Sequence, residues 1–412
     1  MTIKIKHARQ QWPVGHGFFH SSNIDINNKK YSYIYDCGAK KLINIKNMID
    51  KYREMYFLCD NKKDKPIIDM IVISHFHNDH ISGIPYLFDK FKVENLVMPY
   101  LNDKNKIILL CNLAISISDK NSWDRSSGLI SDIDQWVLEK NQQTNVIQMN
   151  NTEEPGQELT NPNDGPNDGL LLPRNKISSH NTKGKIYSNK FELWNFQFYV
   201  KPLQDLKKTI FENILKNLNI DNEDISSKLK DSKWIKENYE NFKKSYLSIG
   251  PNKQNRITLC MFSGPNIIDD NEKFDYINFS EVIMDRCCRR FCYYHHHLGI
   301  YSYNIGWLGT GDLMLKSKKD FDSFESHFNE NLCLVYSLAV PHHGSKLNYN
   351  PELGDIGYRH IITSDASPDP KDHHPSSSVT IDLKKKKRDL KFVTSDPSTI
   401  LFEEFEGEMR SI

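Results

Sequence analysis

Ser74-His75-Phe76-His77-Asn78-Asp79-His80 places three histidines and an aspartate between positions 75 and 80. The segment follows Ile67 to Ile73, a short apolar run rich in branched side chains that reads as a buried strand. At an extended strand end His75 and His77 stand two apart and project the same way, so both can grip one cation. Asp79 and His80 lie past the turn and face a second position. Imidazole with carboxylate suits zinc, and a carboxylate-rich second position also takes manganese or magnesium. A solvent-facing histidine run is the bland alternative, and the buried strand in front of it argues against that reading.

Three more strand ends carry the same chemistry. Ile305 to Leu308 runs into Gly309-Thr310-Gly311-Asp312, where glycines let a carboxylate approach a metal pair closely. One Asp312 oxygen shared between two cations would hold them about 3.5–4 Å apart, as two-metal hydrolysis requires. Leu332 to Val340 leads into Pro341-His342-His343-Gly344-Ser345. One of its imidazoles is expected beside Asp79 and His80, with His343 favoured, and the other is left for substrate or for protonating a leaving group. His360 to Ser364 is followed by His373-His374-Pro375-Ser376, in which His374 is the substrate-side candidate and a solvent-facing loop histidine the alternative.

Around these ends the chain reads as alternating strands and helices. Met1 to His7 opens as a strand, Leu42 to Leu58 and Ile81 to Lys90 read as helices, and Val93 to Pro99 as a strand. A helical part from Ile107 to Gln142 runs into the turn-rich Asn161 to Gly169, so residues 100–185 read as an insertion. Phe191 to Trp194, Phe196 to Val200 and Ile257 to Phe262 read as strands. Residues 203–250 form a second, helical insertion, and 265–303 a smaller one.

The chain has 412 residues, a formal net charge of +1 and 26% charged residues, which fits a soluble globular protein and not a surface-wide nucleic-acid footprint. No apolar run is long enough for a bilayer, and the N-terminus lacks a signal-peptide core. The eight cysteines follow no disulfide framework, so free thiols and a cytoplasmic location are expected. Cys287, Cys288 and Cys292 with His295 to His297 match no familiar zinc spacing. Lys384 to Arg388 reads first as a solvated helix face and more sharply as a phosphate contact.

In order, these motifs resemble the metallo-β-lactamase superfamily, closest to the hydrolase domain of the DNA-uptake competence protein ComEC. The resemblance rests on Val14-Gly15-His16-Gly17, Asp36-Cys37-Gly38, Ser74 to His80, Thr310-Gly311-Asp312, Pro341 to Ser345 and His374 to Ser376. It implies an α/β fold, an αββα sandwich over residues 1–412 with two large, mainly helical insertions. It implies two divalent metal ions, zinc or manganese with magnesium as a further choice. His75 and His77 would hold one, Asp79, His80 and His343 the other, and Asp312 would bridge them. Two departures stand out. No histidine begins the strand at Ile257, where Asn255 stands instead of the ligand many members have, and Phe18 replaces the aspartate that usually follows the glycine turn.

The expected function is a phosphodiesterase or nuclease in which a hydroxide held by two metals attacks phosphorus. Asp79 serves that centre, and His342 or His374 protonates the leaving oxygen. Nucleic acid or nucleotides are the substrate class the resemblance implies, and freestanding relatives in bacterial antiviral loci point to defence. The alternatives are a hydrolase of lactams, lactones or thioesters, and a metal-stabilised binding module whose insertions meet a protein partner.

Overall fold

The structure is a computed structural model that describes residues 2–57, 65–117, 119–140, 142–152, 169–173, 175–188, 191–201, 208–249, 257–266, 274–275, 280–285, 292–296, 305–365 and 374–411. Among these residues the strands form two sheets, of eleven and eight strands. In the first, Thr2–Gln11, Gly17–Ile26 and Lys29–Ala39 are antiparallel neighbours. The sheet then continues in parallel through Ile67–Val72, Lys92–Pro99 and Asn145–Asn150. In the second, Phe191–Lys201, Thr258–Pro265 and Gly306–Gly309 are antiparallel. From Gly306–Gly309 the sheet runs in parallel through Val335–Ala339, Arg359–Thr363 and Asp389–Val393.

Parallel neighbours need crossovers, and these supply the outer helices. Leu42–Phe57 turns Ile45, Ile49 and Tyr52 onto the first sheet's layer. Lys318–Phe328 and Ser377–Lys385 bury Phe321, Phe324, Phe328, Val379 and Leu383 with the second. Between the sheets Tyr33 meets Phe196 with ring centroids 5.5 Å apart, and Tyr35 meets Trp307 at 5.1 Å. Each such large side chain contributes about 1.5–3 kcal/mol when fully buried. The layers are those of the metallo-β-lactamase αββα sandwich.

A buried ion cluster ties the sheets together. Arg9 donates to Glu403 at 2.5 Å and to the Ile305 carbonyl at 2.7 Å. Arg359 Nη1 and Ser337 Oγ donate to the other Glu403 oxygen at 2.7 and 2.6 Å. Arg9 and Glu403 lie on the first sheet, whereas Ser337 and Arg359 lie on the second.

Local structure departs from the sequence expectation in a few places. The helix expected from Ile81 to Lys90 is two, Asn78–Ile81 and Ile84–Lys90, because the Gly83 N–H turns to the Cys37 carbonyl at 2.8 Å. The two strands expected between Phe191 and Val200 are one, Phe191–Lys201, with a register shift between Glu192 and Trp194. Within 100–185, helices such as Asp103–Ser116 precede Asn145–Asn150, which pairs into the first sheet beside Lys92–Pro99. Residues 208–249 are helical, from Lys208–Leu218 to Tyr239–Ile249. Within 265–303, Ser280–Asp285 pairs with Leu401–Ser411. Asn255, Cys287, Cys288, His297 and the turn-rich loop from Asn161 to Asp168 lie outside the described residues. Cys37, Cys111, Cys260 and Cys333 are free thiols. Among the described residues no helix is long and apolar enough to cross a membrane.

Candidate metal centre

The parallel strands of both sheets deliver their ends to one edge, where the Leu259 N–H donates to the Ser74 carbonyl at 2.8 Å. His75, His77 and Asp312 meet there. His75 Nε2 lies 3.1 Å from His77 Nδ1, and Asp312 Oδ2 lies 3.4 and 3.5 Å from those nitrogens. Two donors each 2.0–2.2 Å from one zinc stand about 3.4 Å apart at a tetrahedral angle. The triangle therefore has the spacing of three ligands on one ion.

The other Asp312 oxygen faces a second set. Oδ1 is 3.8 Å from His80 Nε2, and His343 Nε2 is 3.3 Å from Asp79 Oδ2. His80, Asp312 and His343 offer atoms within 4.8 Å of one another. His80 Nε2 and Asp312 Oδ1 are buried and have no hydrogen-bond partner. Buried polar atoms are almost always satisfied, so two such orphans facing each other fit a shared cation.

Outer partners fix which nitrogen each ring presents. Asp36 accepts from Ser74 N and Oγ at 2.7 and 2.6 Å and from His80 Nδ1 at 2.7 Å. Since the Ser74 hydroxyl donates to Asp36, its oxygen accepts from His75 Nδ1 at 2.8 Å. His343 Nδ1 donates to the Thr363 carbonyl at 2.6 Å. His75, His80 and His343 thus turn Nε2 inward, the nitrogen each would offer a metal, as metal-binding imidazoles do. Replacing Asp36 with asparagine is expected to lower metal affinity about 10–100-fold, read by zinc titration against a chelator.

The charges follow from the same contacts. Burial would raise the Asp312 carboxyl, but the imidazoles of His342, His75, His77 and His80 hold it well below the ordinary carboxylate range. Asp79 is likewise held down against burial, chiefly by His343. Burial pushes His75 well below its usual value. It opposes charge on His80 too, yet Asp36 outweighs it and lifts that imidazole to about 9.

Backbone conformation shapes the pocket. Asp36, His342 and His343 adopt φ of 54°, 48° and 54°, a left-handed region that costs non-glycine residues about 1–3 kcal/mol each. The bend splays the two imidazoles, whose centroids are 6.0 Å apart. His343 goes to Asp79, while His342 Nε2 lies 3.5 Å from Asp312 Oδ2 and its Nδ1 donates to Asn348 at 2.9 Å. His342 belongs to no ligand triangle among the described residues. His374 stands at the rim, its ring 4.7 Å from that of His342. A Cβ on Gly38 would sit 2.5 Å from the His80 backbone carbon, so only glycine lets the Asp79-His80 turn pass there.

All the candidates from the sequence, namely His75, His77, Asp79, His80, Asp312, His342, His343 and His374, lie at this one edge. The sequence reading assigned no role to His16, 3.6 Å from Asp79, to Asp36, or to Asn348, whose side chain donates to the Asp312 carbonyl at 2.8 Å. Phe18, where relatives place an acid, is buried with its ring parallel to His80 at 6.1 Å. Lys386 and Arg388 of the basic run pair with Asp355, which takes two of its cations away from any phosphate.

Residues 26–102 match the family described as Metallo-beta-lactamase superfamily. No curated protein matches the sequence. Among solved structures, a long form RNase Z from yeast is similar with a TM-score of 0.30 and 11% identity, over 87% of this chain and 36% of that one. The chain thus spans about a third of the length of that relative. The match and the fold of two sheets flanked by helices agree, and the matched residues include the Ser74 to His80 segment.

Proposed function

We propose that this protein is a phosphodiesterase acting on nucleic acid or nucleotides through a pair of divalent metals. The observation that carries the reading is Asp312, whose two oxygens face different donor sets. His75 and His77 flank Oδ2, and His80 flanks Oδ1 with Asp79 and His343 behind it. Such a pair, when bound, supplies Lewis acidity and a nucleophile drawn from water. Zinc suits the imidazole-rich donor set, and manganese or magnesium is the alternative loading.

The chain's own residues do the rest. Asp36, Ser74 and the Thr363 carbonyl orient three imidazoles so that the donors need no rearrangement when substrate arrives. His342, held by Asn348, and His374 beside it stand where a departing oxygen could take a proton. The likeness of the motifs to the ComEC hydrolase domain supports DNA as a substrate class. It also supports a role in bacterial antiviral defence, read as phage protection in cells.

Parallel assays with bis-p-nitrophenyl phosphate and nitrocefin, on metal-loaded protein, test the reaction class. Turnover of the phosphodiester alone is expected; turnover of nitrocefin alone would sink the proposal in favour of lactam hydrolysis. Single-stranded DNA, duplex DNA, RNA and cyclic nucleotides then resolve the substrate.

A further inference from the structure

His16 lies between two glycines in the turn that joins Thr2–Gln11 to Gly17–Ile26. Gly15 has φ of 81° and Gly17 pairs with Ala39, so the turn folds back over the strand that carries Asp36. The His16 carbonyl accepts from the Lys40 N–H at 2.8 Å, which fixes the turn at the mouth of the site. Its side chain is 21% exposed, with one edge turned inward.

That edge carries Nε2, 3.6 Å from Asp79 Oδ2, while His343 Nε2 lies 3.3 Å from the same oxygen. The three residues offer atoms within 4.8 Å of one another, and the His16 and His343 ring centroids are 4.3 Å apart. Donors sharing one zinc stand about 3.4 Å apart, so His16 meets this carboxylate at the spacing His343 does.

We propose that His16 is a further protein donor at the second metal position, on the side held by Asp79 and His343. The inference rests on the metal-pair reading and deepens it. A third imidazole makes that position richer in nitrogen, which favours zinc, cobalt or nickel over magnesium.

The test uses full-length protein stripped of metal and titrated with zinc and with cobalt(II), without substrate. Wild type is compared with His16→Ala and with the shape-preserving His16→Asn, each shown by circular dichroism to be folded. Wild type should bind two equivalents. In both variants the second equivalent should bind about 10-fold or more weakly, and the visible cobalt spectrum should change in position and intensity. Two equivalents of unaltered affinity with a superimposable cobalt spectrum in both variants would overturn the assignment while leaving the metal pair standing. A wild-type protein that binds fewer than two equivalents would overturn the metal pair, and the His16 assignment with it.

Discussion

Asp312→Ala is expected to empty both metal positions and to abolish phosphodiester hydrolysis. Asp312 is 1% exposed and is the one carboxylate that touches both donor sets, through Oδ2 to His75 and His77 and through Oδ1 to His80. Alanine leaves those imidazoles converging on a gap, with the Asp79 carboxylate alone among the proposed ligands to offset two cations. Losing an outer partner of a metal ligand costs roughly 10–100-fold, so losing the shared ligand should exceed that in turnover. Metal content per chain, measured alongside activity on bis-p-nitrophenyl phosphate, checks the prediction. A variant that keeps two metals and most of its activity would show that Asp312 does not join the positions. A binding module, by contrast, would keep its function in the cell without this carboxylate.

The second large effect concerns stability. Glu403→Gln should cost about 3–5 kcal/mol at neutral pH, the penalty for breaking a buried charge cluster by removing one member. Arg9 and Arg359 would stay buried between the sheets without their shared anion. Burial alone would raise the Glu403 carboxyl, but Arg9 and Arg359 bring it down to about 2 from an ordinary 4.5. A depressed carboxyl stabilises the fold above its unfolded value and stops doing so as pH falls through its folded value. Wild type should therefore lose stability between pH 4.5 and 2, and the glutamine variant should lack that part of the acid transition. His7 and His20, neutral and buried between the sheets, act at higher pH. Burial and then Arg9 push both well below 6.5, so their loss of stability begins below pH 6.5 and persists in the variant. Urea unfolding across this range separates the two windows.

Much of the site was legible because its signals are local. An apolar strand that stops at His75, or at Gly309 to Asp312, announces itself within about ten residues through periodicity and composition. The partners that orient those side chains were not legible. Asp36 meets Ser74 and His80 across 38 and 44 residues, and only the folded sheet brings them together. His16 is a lone histidine between glycines, with no spacing to mark it, and its proximity to Asp79 depends on the turn folding over Gly38. The choice between His342 and His343 was also closed to sequence. Left-handed backbone at both residues sends the neighbouring side chains to different targets. In the fold, the break before Ile84 depends on a hydrogen bond from Gly83 to Cys37, far outside any helical window.

Anomalous diffraction from crystals of the zinc-loaded protein tests the central claim most directly. Two peaks about 3.5–4 Å apart are predicted, one among His75, His77 and Asp312, the other among Asp79, His80, His343 and Asp312. Fully loaded crystals with no anomalous peak at this edge of the sandwich, or with zinc bound only elsewhere, would contradict it.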